Sequence, residues 1–268
     1  MNWQNVPRDD TTVKRAVVPK RGAFSFFDYA AIEPRLAAYF ASKRGEDEFA
    51  ARIRAGYDPY TAVAQLVTGD TDVSKEERQK WKVMFLSLMY GGGMKTIQLQ
   101  FNVSAKDAKA MIRTFHQNFP FVSLLQDDVK RVVATRGYLR GIDGRHLHLE
   151  EFGEHKMLNK LIQGSAAGIM KRALLEVHQH QRLAKWATRM VSVVHDEIIL
   201  DGPTHELPVL HQLVPVFMRR GFDHVHEVVP IEVDHEVAFT SWADKIEYTE
   251  WRESVGNRPS SEGAPLRA

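Results

Sequence analysis

The chain has 268 residues, of which 44% are hydrophobic and none is cysteine, and its formal net charge is +2. This length and composition suit one large or two small globular domains. They exclude disulfides and thiolate metal sites, and no run of about 18 apolar residues is present to cross a membrane. Since the N-terminus has no secretory signal pattern, we expect a cytoplasmic location and no membrane partner.

The first acidic residue of interest follows a short apolar strand. Residues 1–22 are polar and interrupted by prolines, which predicts an extended lead-in. Residues 23–27 (AFSFF) predict a buried strand that ends at Asp28. Residues 32–40 then have helical spacing, with Pro34 tolerated in the first turn. The sequence therefore predicts an acid at a strand end, followed by a helix.

Two helices are predicted after this strand and helix. Residues 58–67 indicate a short one closed by Gly69, and the capping-box pair Ser74 and Glu77 begins another that ends at Gly91. On the second helix one stripe recurs every four residues. It combines two cations with an apolar and an aromatic residue: Arg78, Lys82, Leu86 and Tyr90. Either this stripe is a solvated end followed by core positions, or it is a phosphate clamp leading to a base-stacking surface.

A helical insert and a basic hairpin come next. Residues 104–119 and 122–135 predict two helices joined by a turn, and residues 137–149 predict a hairpin with Asp143-Gly144 at its turn. Arg140 and Arg145 on this hairpin could line a phosphate backbone, although an inert basic surface fits equally well. A long helix over residues 154–183 carries Asn159 and Gln163 on one face.

A second acidic turn lies in residues 193–200 (VVHDEIIL). Apolar runs flank Asp196 and Glu197, which predicts a tight hairpin with acids at its tip. Alone, this pattern is more often a solvated turn. With the strand-end Asp28, it supplies two carboxylates of the kind that hold two divalent cations roughly 3.5 to 4 Å apart for phosphoryl displacement. Because no thiolate is available, hard cations such as Mg²⁺ fit best.

The remaining elements complete an α+β fold. A helix over residues 205–220 and a strand over residues 230–237 follow the acidic hairpin, and residues from Glu253 onward have the composition of a disordered tail. Strands and helices do not alternate strictly. We therefore predict a mixed, largely antiparallel sheet that carries the acidic site, with a helical insertion.

Taken together, these motifs resemble the polymerase-I-like family A DNA polymerases. Residues 28–35 (DYAAIEPR) are similar to the first acidic motif of the family, residues 78–91 to its fingers helix, and residues 194–197 (VHDE) to its second acidic motif. Residues 2–7 (NWQNVP) and 159–167 (NKLIQGSAA) are similar to two further segments. The resemblance runs from residue 2 to about Trp242. It implies a palm over residues 1–57 and 137–252, fingers over residues 58–136 and a tail over residues 253–268.

The resemblance implies roles for the acidic residues. Asp28 and Asp196, helped by the main-chain carbonyl of Tyr29, would bind two Mg²⁺ ions, and Glu197 would be an accessory acid near the primer terminus. When bound, such ions lower the pKa of the primer 3′-hydroxyl and neutralise the triphosphate and the leaving pyrophosphate.

The same resemblance assigns residues to the incoming dNTP. Arg78 and Lys82 would grip its triphosphate, with Lys82 also placed to protonate pyrophosphate, while Tyr90 would stack near the templating base. Glu33 would close off the 2′ side of the sugar and favour deoxynucleotides. Two substrate positions depart from the family pattern: Leu86 stands where Phe or Tyr is usual, as in some viral members of phage type, and Tyr60 stands where a His is usual.

Primer-template DNA is the implied macromolecular partner. Asn159, Gln163 and His195 would touch its minor groove, where hydrogen-bond acceptors are similar in every base pair. Arg140 and Arg145 would contact its backbone.

Family members carry a thumb, and often an exonuclease domain, upstream of the matched region. We therefore expect a fragment or one half of a split enzyme, with a separately encoded chain supplying the thumb or exonuclease, in the host cytoplasm if the source is viral. Two alternatives stay open: a catalytically silent DNA-binding subunit, and a single-subunit RNA polymerase, which shares the fingers Lys and Tyr.

Overall fold

A computed structural model describes residues 6, 11–148 and 156–256 of the chain. No helix in these ranges is long and apolar enough to cross a membrane. The elements, in chain order, are α1 (Thr11–Arg15), β1 (Ala23–Tyr29), α2 (Ile32–Ser42), α3 (Glu48–Arg54), α4 (Pro59–Thr68), α5 (Lys75–Met89), α6 (Met94–Phe101), α7 (Ala105–Asn118), α8 (Pro120–Arg136), β2 (Tyr138–Arg140), β3 (His146–His148), α9 (Met157–Leu183), β4 (Arg189–Val194), β5 (Glu197–Gly202), a 3₁₀ turn (Thr204–Glu206), α10 (Leu207–Arg219), α11 (Asp223–His226), β6 (Val233–Ala238), β7 (Ile246–Glu247) and α12 (Tyr248–Gly256).

The first of two compact units comprises the described residues within 1–30, 172–220 and 232–268. Its centre is a five-stranded antiparallel sheet in the order β4-β5-β1-β6-β7. The central strand β1 is buried at every position except Asp28. Its residues 23–27 are all apolar or small, so both faces of the strand are covered. A shift of register between Met190 and Ser192 places a β-bulge in β4, which is an edge strand of the described sheet.

Residues alternate between the two faces of this sheet because successive side chains on a strand point in opposite directions. One face carries Phe24, Phe26 and Asp28 on β1, and Phe24 and Phe26 pack with Ile199, Ala238 and Trp242. We call it the acidic face. The opposite face, the histidine face, carries Ser25, Phe27 and Tyr29 on the same strand. There Phe27 stacks on His235, with ring centroids 4.0 Å apart.

The second unit comprises the described residues within 31–171 and 221–231 and is mainly helical. Its core is aromatic: the side chains of Phe49, Phe85, Phe115, Phe119 and Phe121 stack or meet edge to face. The β2–β3 hairpin belongs to this unit and pairs Tyr138 with His148.

Most predicted elements are confirmed. The α+β class, the strand ending near Asp28, the helix from Ile32, the capping box at Ser74 and the two hairpins all appear where the sequence places them. Gly69 ends α4 in the left-handed conformation, as the stop signal predicts. The long helix is described from Met157, since residues 149–155 lie outside the described ranges.

Three predictions need correction. The lead-in is not extended throughout, because residues 11–15 form α1, and the main chain of Val17 then accepts a hydrogen bond from Trp242 N–H. The last predicted strand begins at Val233 and not at residue 230. Residues 253–256, predicted to be a disordered tail, form the last part of helix α12. The first residue of this helix, Tyr248, packs against the sheet by stacking on His235 and also stacks on His211. Residues 257–268 lie outside the described ranges, and the palm and fingers division stays a prediction.

Candidate functional site

The two acidic motifs meet at one end of the sheet in the first unit. Asp28 on β1 lies directly opposite Glu197 on β5, and the Tyr29 N–H donates to the main-chain oxygen of Asp196 at 3.4 Å. Val194 pairs with Glu197, so His195 and Asp196 form a two-residue turn. His195 has a φ of 55°, a left-handed conformation that is uncommon for a residue other than glycine. The fold thus brings both predicted metal-binding acids together, Asp28 on a central strand and Asp196 in the tight turn of the neighbouring hairpin.

A cavity of about 580 Å³ opens beside these acids. Its lining comes from both acidic motifs, from α1 and from the segment after β6: Val6, Thr11, Lys14, Asp28, Val194, His195, Asp196, Glu197, Glu236, Trp242, Ala243 and Lys245. Of the predicted segment 2–7, only Val6 lies within the described residues. The cavity is therefore acidic with two lysines at its wall.

Glu197 is engaged by a lysine that the sequence did not single out. Lys245 Nζ contacts Glu197 Oε1 and lies 3.1 Å from Glu236 Oε2. Burial raises the pKa of Glu197, while the charge and hydrogen bond of Lys245 oppose this shift, and the nearby Glu236 and Asp196 add to it. Lys245 thus joins the acidic hairpin to β6 and to the segment that follows it.

The donor set at the strand ends fits a hard divalent cation. Mg²⁺ is usually held in enzymes by one or two carboxylates, with waters and substrate phosphates completing its shell. Asp28 and Asp196 supply two carboxylates, and within the described ranges no group of three or more His, Cys, Asp or Glu side chains forms a closed metal cage. The Tyr29 hydroxyl donates to Met218 O at 2.6 Å, and its pKa is raised by burial and by Asp196. Only the main-chain carbonyl of Tyr29 is thus suited to act as a ligand.

The basic stripe of α5 lies in the second unit over an aromatic ring. Arg78 makes a bidentate ion pair with Asp58, with Nη2 to Oδ2 at 2.5 Å and Nε to Oδ1 at 3.2 Å. Its guanidinium carbon is 5.2 Å from the Tyr60 ring centroid, and Lys82 Nζ is 5.5 Å from the same centroid. Burial would raise the pKa of Asp58, but hydrogen bonds from Arg78 and Thr61 hold it below its usual value.

Two cations therefore converge on the Tyr60 ring, which is itself only 2% exposed. Asp58 is also the N-cap of α4, where its side chain accepts from Thr61 N–H. The carboxylate fixes the position of Arg78 and at the same time begins the helix that carries Tyr60. Arg78 and Lys82 are partly exposed, so anions in solvent can reach them.

The other end of the stripe is joined to α2. The Tyr90 hydroxyl donates to Glu33 Oε1 at 2.9 Å, and Gln163 Nε2 donates to the same oxygen at 3.3 Å. Burial and the charge of Glu33 raise the pKa of Tyr90, so its hydroxyl stays a neutral donor. Leu86, one turn earlier, is half-buried. Glu33, Tyr90 and Gln163, predicted separately, thus form one hydrogen-bonded group.

The predicted DNA contacts lie in several places. Asn159 is partly buried, and its Oδ1 has no hydrogen-bond partner among the described residues. Arg145 is exposed but fixed by Asp143, with Nε to Oδ2 at 2.6 Å, and by Gly164 O at 3.0 Å. Arg140 is exposed on the same hairpin, and His195 is exposed at the acidic turn of the first unit.

Sequence reasoning missed three site residues: Lys245, Glu236 and Asp58. The period of two along β6 could have indicated Glu236, because it places Asp234 and Glu236 on one face. The N-cap position of Asp58 before Pro59 could have indicated a fixed carboxylate. Nothing local marks Lys245, since it is 48 residues from Glu197 in the chain.

The chain is similar to known DNA polymerases over most of its length. The family model described as DNA polymerase family A matches residues 1–244. DNA polymerase I of Geobacillus stearothermophilus is 29% identical over 260 residues, and that of Lactococcus lactis subsp. lactis is 26% identical over 261 residues; each alignment covers 91% of this chain and 29% of the relative. The chain therefore spans less than a third of the length of these relatives.

A solved structure is similar in fold. It is the POL domain of Pol1 from M. smegmatis in complex with DNA primer-template and dNTP, with a TM-score of 0.79 and 28% sequence identity. The match covers 90% of this chain and 44% of that chain.

Proposed function

Because the chain belongs to DNA polymerase family A, we propose that it carries the nucleotidyl-transfer centre of a template-directed DNA polymerase, which adds dNTPs to a primer 3′-hydroxyl. The observation that carries this proposal is the junction of Asp28 and Asp196 at one sheet end. The solved neighbour, which binds primer-template and dNTP, supports it.

Members of this family generally use divalent metal ions, and we propose two Mg²⁺ ions held by Asp28 and Asp196 with the carbonyl of Tyr29. When bound, they would lower the pKa of the primer hydroxyl and neutralise the charge of the triphosphate. β1 and the tight turn between β4 and β5 would hold the two carboxylates in place before any ligand arrives, so little reorganisation would be needed. Glu197 would act from the edge of this pair as an accessory acid.

Arg78 and Lys82 would bind the triphosphate. A guanidinium makes bidentate contacts with phosphate, and an ammonium contributes a compact charge and a proton for the leaving pyrophosphate. Asp58 already occupies two donors of Arg78, so the remaining donors, or a rearranged pair, would meet the phosphate. Tyr60 would support both cations from beneath, and Leu86 would lie between them and Tyr90.

Glu33 would select the sugar, because Tyr90 and Gln163 both donate to one of its oxygens and so fix its side chain. We expect Glu33→Ala to increase the rNTP/dNTP ratio of kcat/KM, since space opens where a 2′-hydroxyl would sit. Glu33→Gln, which keeps the size and an acceptor oxygen, is the matched control and should change the ratio less. An unchanged ratio in Glu33→Ala would assign sugar selection to another residue, such as Leu86.

Contacts with primer-template would come from Asn159, Gln163 and His195 in the minor groove and from Arg140 and Arg145 along the backbone. Replacing either arginine by Gln should weaken binding for all sequences alike and reduce the slope of log K against log salt by about one per phosphate contact.

Two other functions compete with polymerisation of dNTPs. A subunit that only binds DNA does not require the two carboxylates Asp28 and Asp196, whose proposed role is to hold metal ions for catalysis. An RNA polymerase does not require a carboxylate at Glu33 that excludes the 2′-hydroxyl of the nucleotide. The deciding experiment is primer extension on a defined template with Mg²⁺ and either dNTPs or rNTPs, with EDTA and the variant Asp28→Asn/Asp196→Asn as controls. Template-dependent dNTP addition that both controls abolish supports the proposal; DNA binding without any addition contradicts it.

None of the comparisons supports a separately encoded chain that bears a thumb or exonuclease, and the split enzyme stays a prediction. The matched region covers only 29% of the length of the Geobacillus stearothermophilus relative, so these 268 residues alone offer fewer contacts with DNA than the full relative would, and we expect weak binding, a shallow salt dependence and distributive extension by them. Time courses at about 50 and 200 mM salt measure this. Processive, salt-resistant extension by the chain alone would contradict it.

A further inference from the structure

The ammonium group of Lys245 is enclosed by two carboxylates and an aromatic ring on the acidic face. Beyond its contacts with Glu197 and Glu236, its Nζ lies 4.1 Å from the ring centroid of Phe26, a cation–π distance. The side chains are 23% exposed for Lys245, 13% for Glu197 and 34% for Glu236. The lysine is therefore a fixed charge in a largely desolvated position.

This position adjoins the proposed metal ligands. Phe26 lies opposite Glu236, and Asp28, two residues further along β1, lies opposite Glu197. Two residues of a strand span about 7 Å. The ammonium and the strand-end acids thus share one cavity and one face, with Glu197 common to both groups.

Two carboxylates that contact the same ammonium group are also placed to attract a divalent ion. Mg²⁺ and similar hard cations are commonly bound by one or two carboxylates. With the lysine removed, Glu197 and Glu236 would be two uncompensated negative charges at the wall of one cavity, and they would attract a cation.

We infer that Lys245 is a built-in cation that occupies the space between Glu197 and Glu236 and so prevents divalent ions from binding there, beside Asp28 and Asp196. Lys245 is in this sense a positioning residue: it keeps the accessory acid away from solvent ions and leaves the strand-end pair as the place where metal binds. The inference rests on the proposed function, because it takes Asp28 and Asp196 as metal ligands.

The test measures Mn²⁺ binding by the electron paramagnetic resonance signal of the free ion. The background variant is Asp28→Asn/Asp196→Asn, which lacks the proposed metal pair. Adding Lys245→Met to it should create about one new Mn²⁺ site per chain, bound at least about tenfold more tightly than by the background. Adding Glu236→Gln as well should abolish the new site, and Lys245→Arg, which keeps the charge, should not create it.

Lys14→Met in the same background is the matched control, because it removes one positive charge from the wall of the same cavity without vacating the space between the glutamates. An equal gain of Mn²⁺ in Lys14→Met, or no gain in Lys245→Met, would overturn the inference. Circular dichroism establishes that each variant is folded, and Lys245→Gln replaces Lys245→Met if the latter does not fold.

The same titration separates the two proposals. If the chain with Asp28 and Asp196 intact binds no more Mn²⁺ than the background, the metal assignment of the proposed function fails. The result for Lys245 is unaffected by that failure, because it is measured where both aspartates are already replaced.

Discussion

The two faces of the five-stranded sheet differ in chemistry although they are built from the same strands: one gathers carboxylates, and the other is packed with aromatic and imidazole rings. On the acidic face, Asp28, Glu197 and Glu236 gather negative charge around a cavity. On the histidine face, Phe27 is fully buried and stacks on His235, which in turn stacks on Tyr248 at 4.8 Å. Neighbouring residues of one strand, Phe27 and Asp28, therefore belong to different environments.

The difference teaches how one strand can serve a reactive site without losing stability. Carboxylates gathered on one face repel each other and stay partly solvated, so they contribute little to folding. The opposite face compensates with close-packed aromatic and imidazole rings. We expect substitutions on the acidic face to affect the reaction, and substitutions on the histidine face to affect stability.

The largest effect should come from the acidic face. Asp28→Asn or Asp196→Asn should lower kcat for dNTP incorporation by several orders of magnitude, because each removes a charged ligand from a site that must neutralise a triphosphate. The free energy of unfolding, measured in urea, should stay within about 1 kcal/mol. Asp234→Asn, directly opposite Asp28 on β6, is the matched control and should keep most activity. Retention of more than about a tenth of kcat in Asp28→Asn would contradict the metal assignment.

Phe27→Ala should show the converse behaviour. Deleting a fully buried phenyl ring costs about 3 to 5 kcal/mol of unfolding free energy, while kcat per folded molecule should change far less than in Asp28→Asn. Urea unfolding and active-site titration measure the two quantities. Val191→Ala, at an exposed position of β4, is the control and should cost much less. Equal losses of stability in both variants would remove the distinction between the faces.

The histidine face should also make stability depend on pH. The pKa of His235 is lowered from 6.5 to about 3, by burial and by the neighbouring His211. Between these values the unfolded chain binds a proton that the folded chain does not, so this contribution to stability is complete above pH 6.5 and is lost as the pH falls towards 3.

His235→Gln removes this titration and measures its size. Between pH 6 and 4.5 the unfolding free energy of the unaltered chain should fall by up to about 1.4 kcal/mol per pH unit more than that of the variant. The difference between the two urea series cancels the titration of the other groups. Parallel pH profiles would contradict the assignment.

The smallest effect is expected at Ser25, whose hydroxyl is buried without a hydrogen-bond partner among the described residues. Ser25→Ala should raise the free energy of unfolding by about 1 kcal/mol, because it removes an unsatisfied buried polar group. Ser25→Val, which adds volume at the same site, should gain less or lose stability. A loss in Ser25→Ala would mean that the hydroxyl has a partner in solution.

The sequence was informative wherever a signal is local. The alternation around His195-Asp196 and the capping box at Ser74 depend on residues a few positions apart, and both elements are confirmed. The helices α1, α3, α6, α11 and α12 were missed because short segments carry weak periodicity and depend on tertiary packing.

Side-chain partners were harder to foresee than elements. Lys245 with Glu197 and His211 with His235 join residues 48 and 24 positions apart, and their pairing depends on strand register. Register follows from the whole hydrophobic pattern of a sheet and not from the residues that end up in contact. The roles assigned to Arg78, Lys82, Tyr90 and Glu33 stay predictions. The structure supplies the contacts of each side chain, against which these roles can be tested.

The bulge in β4 has a consequence for how the chain behaves at high concentration. A flat edge strand offers a row of free main-chain groups on which a second copy can add a strand, the first step towards aggregates. The register shift between Met190 and Ser192 interrupts that row at the exposed Val191. A strand added by a second copy could then pair with only a few residues before its hydrogen-bond register with β4 is lost. The bulge therefore protects this apolar edge strand from self-association.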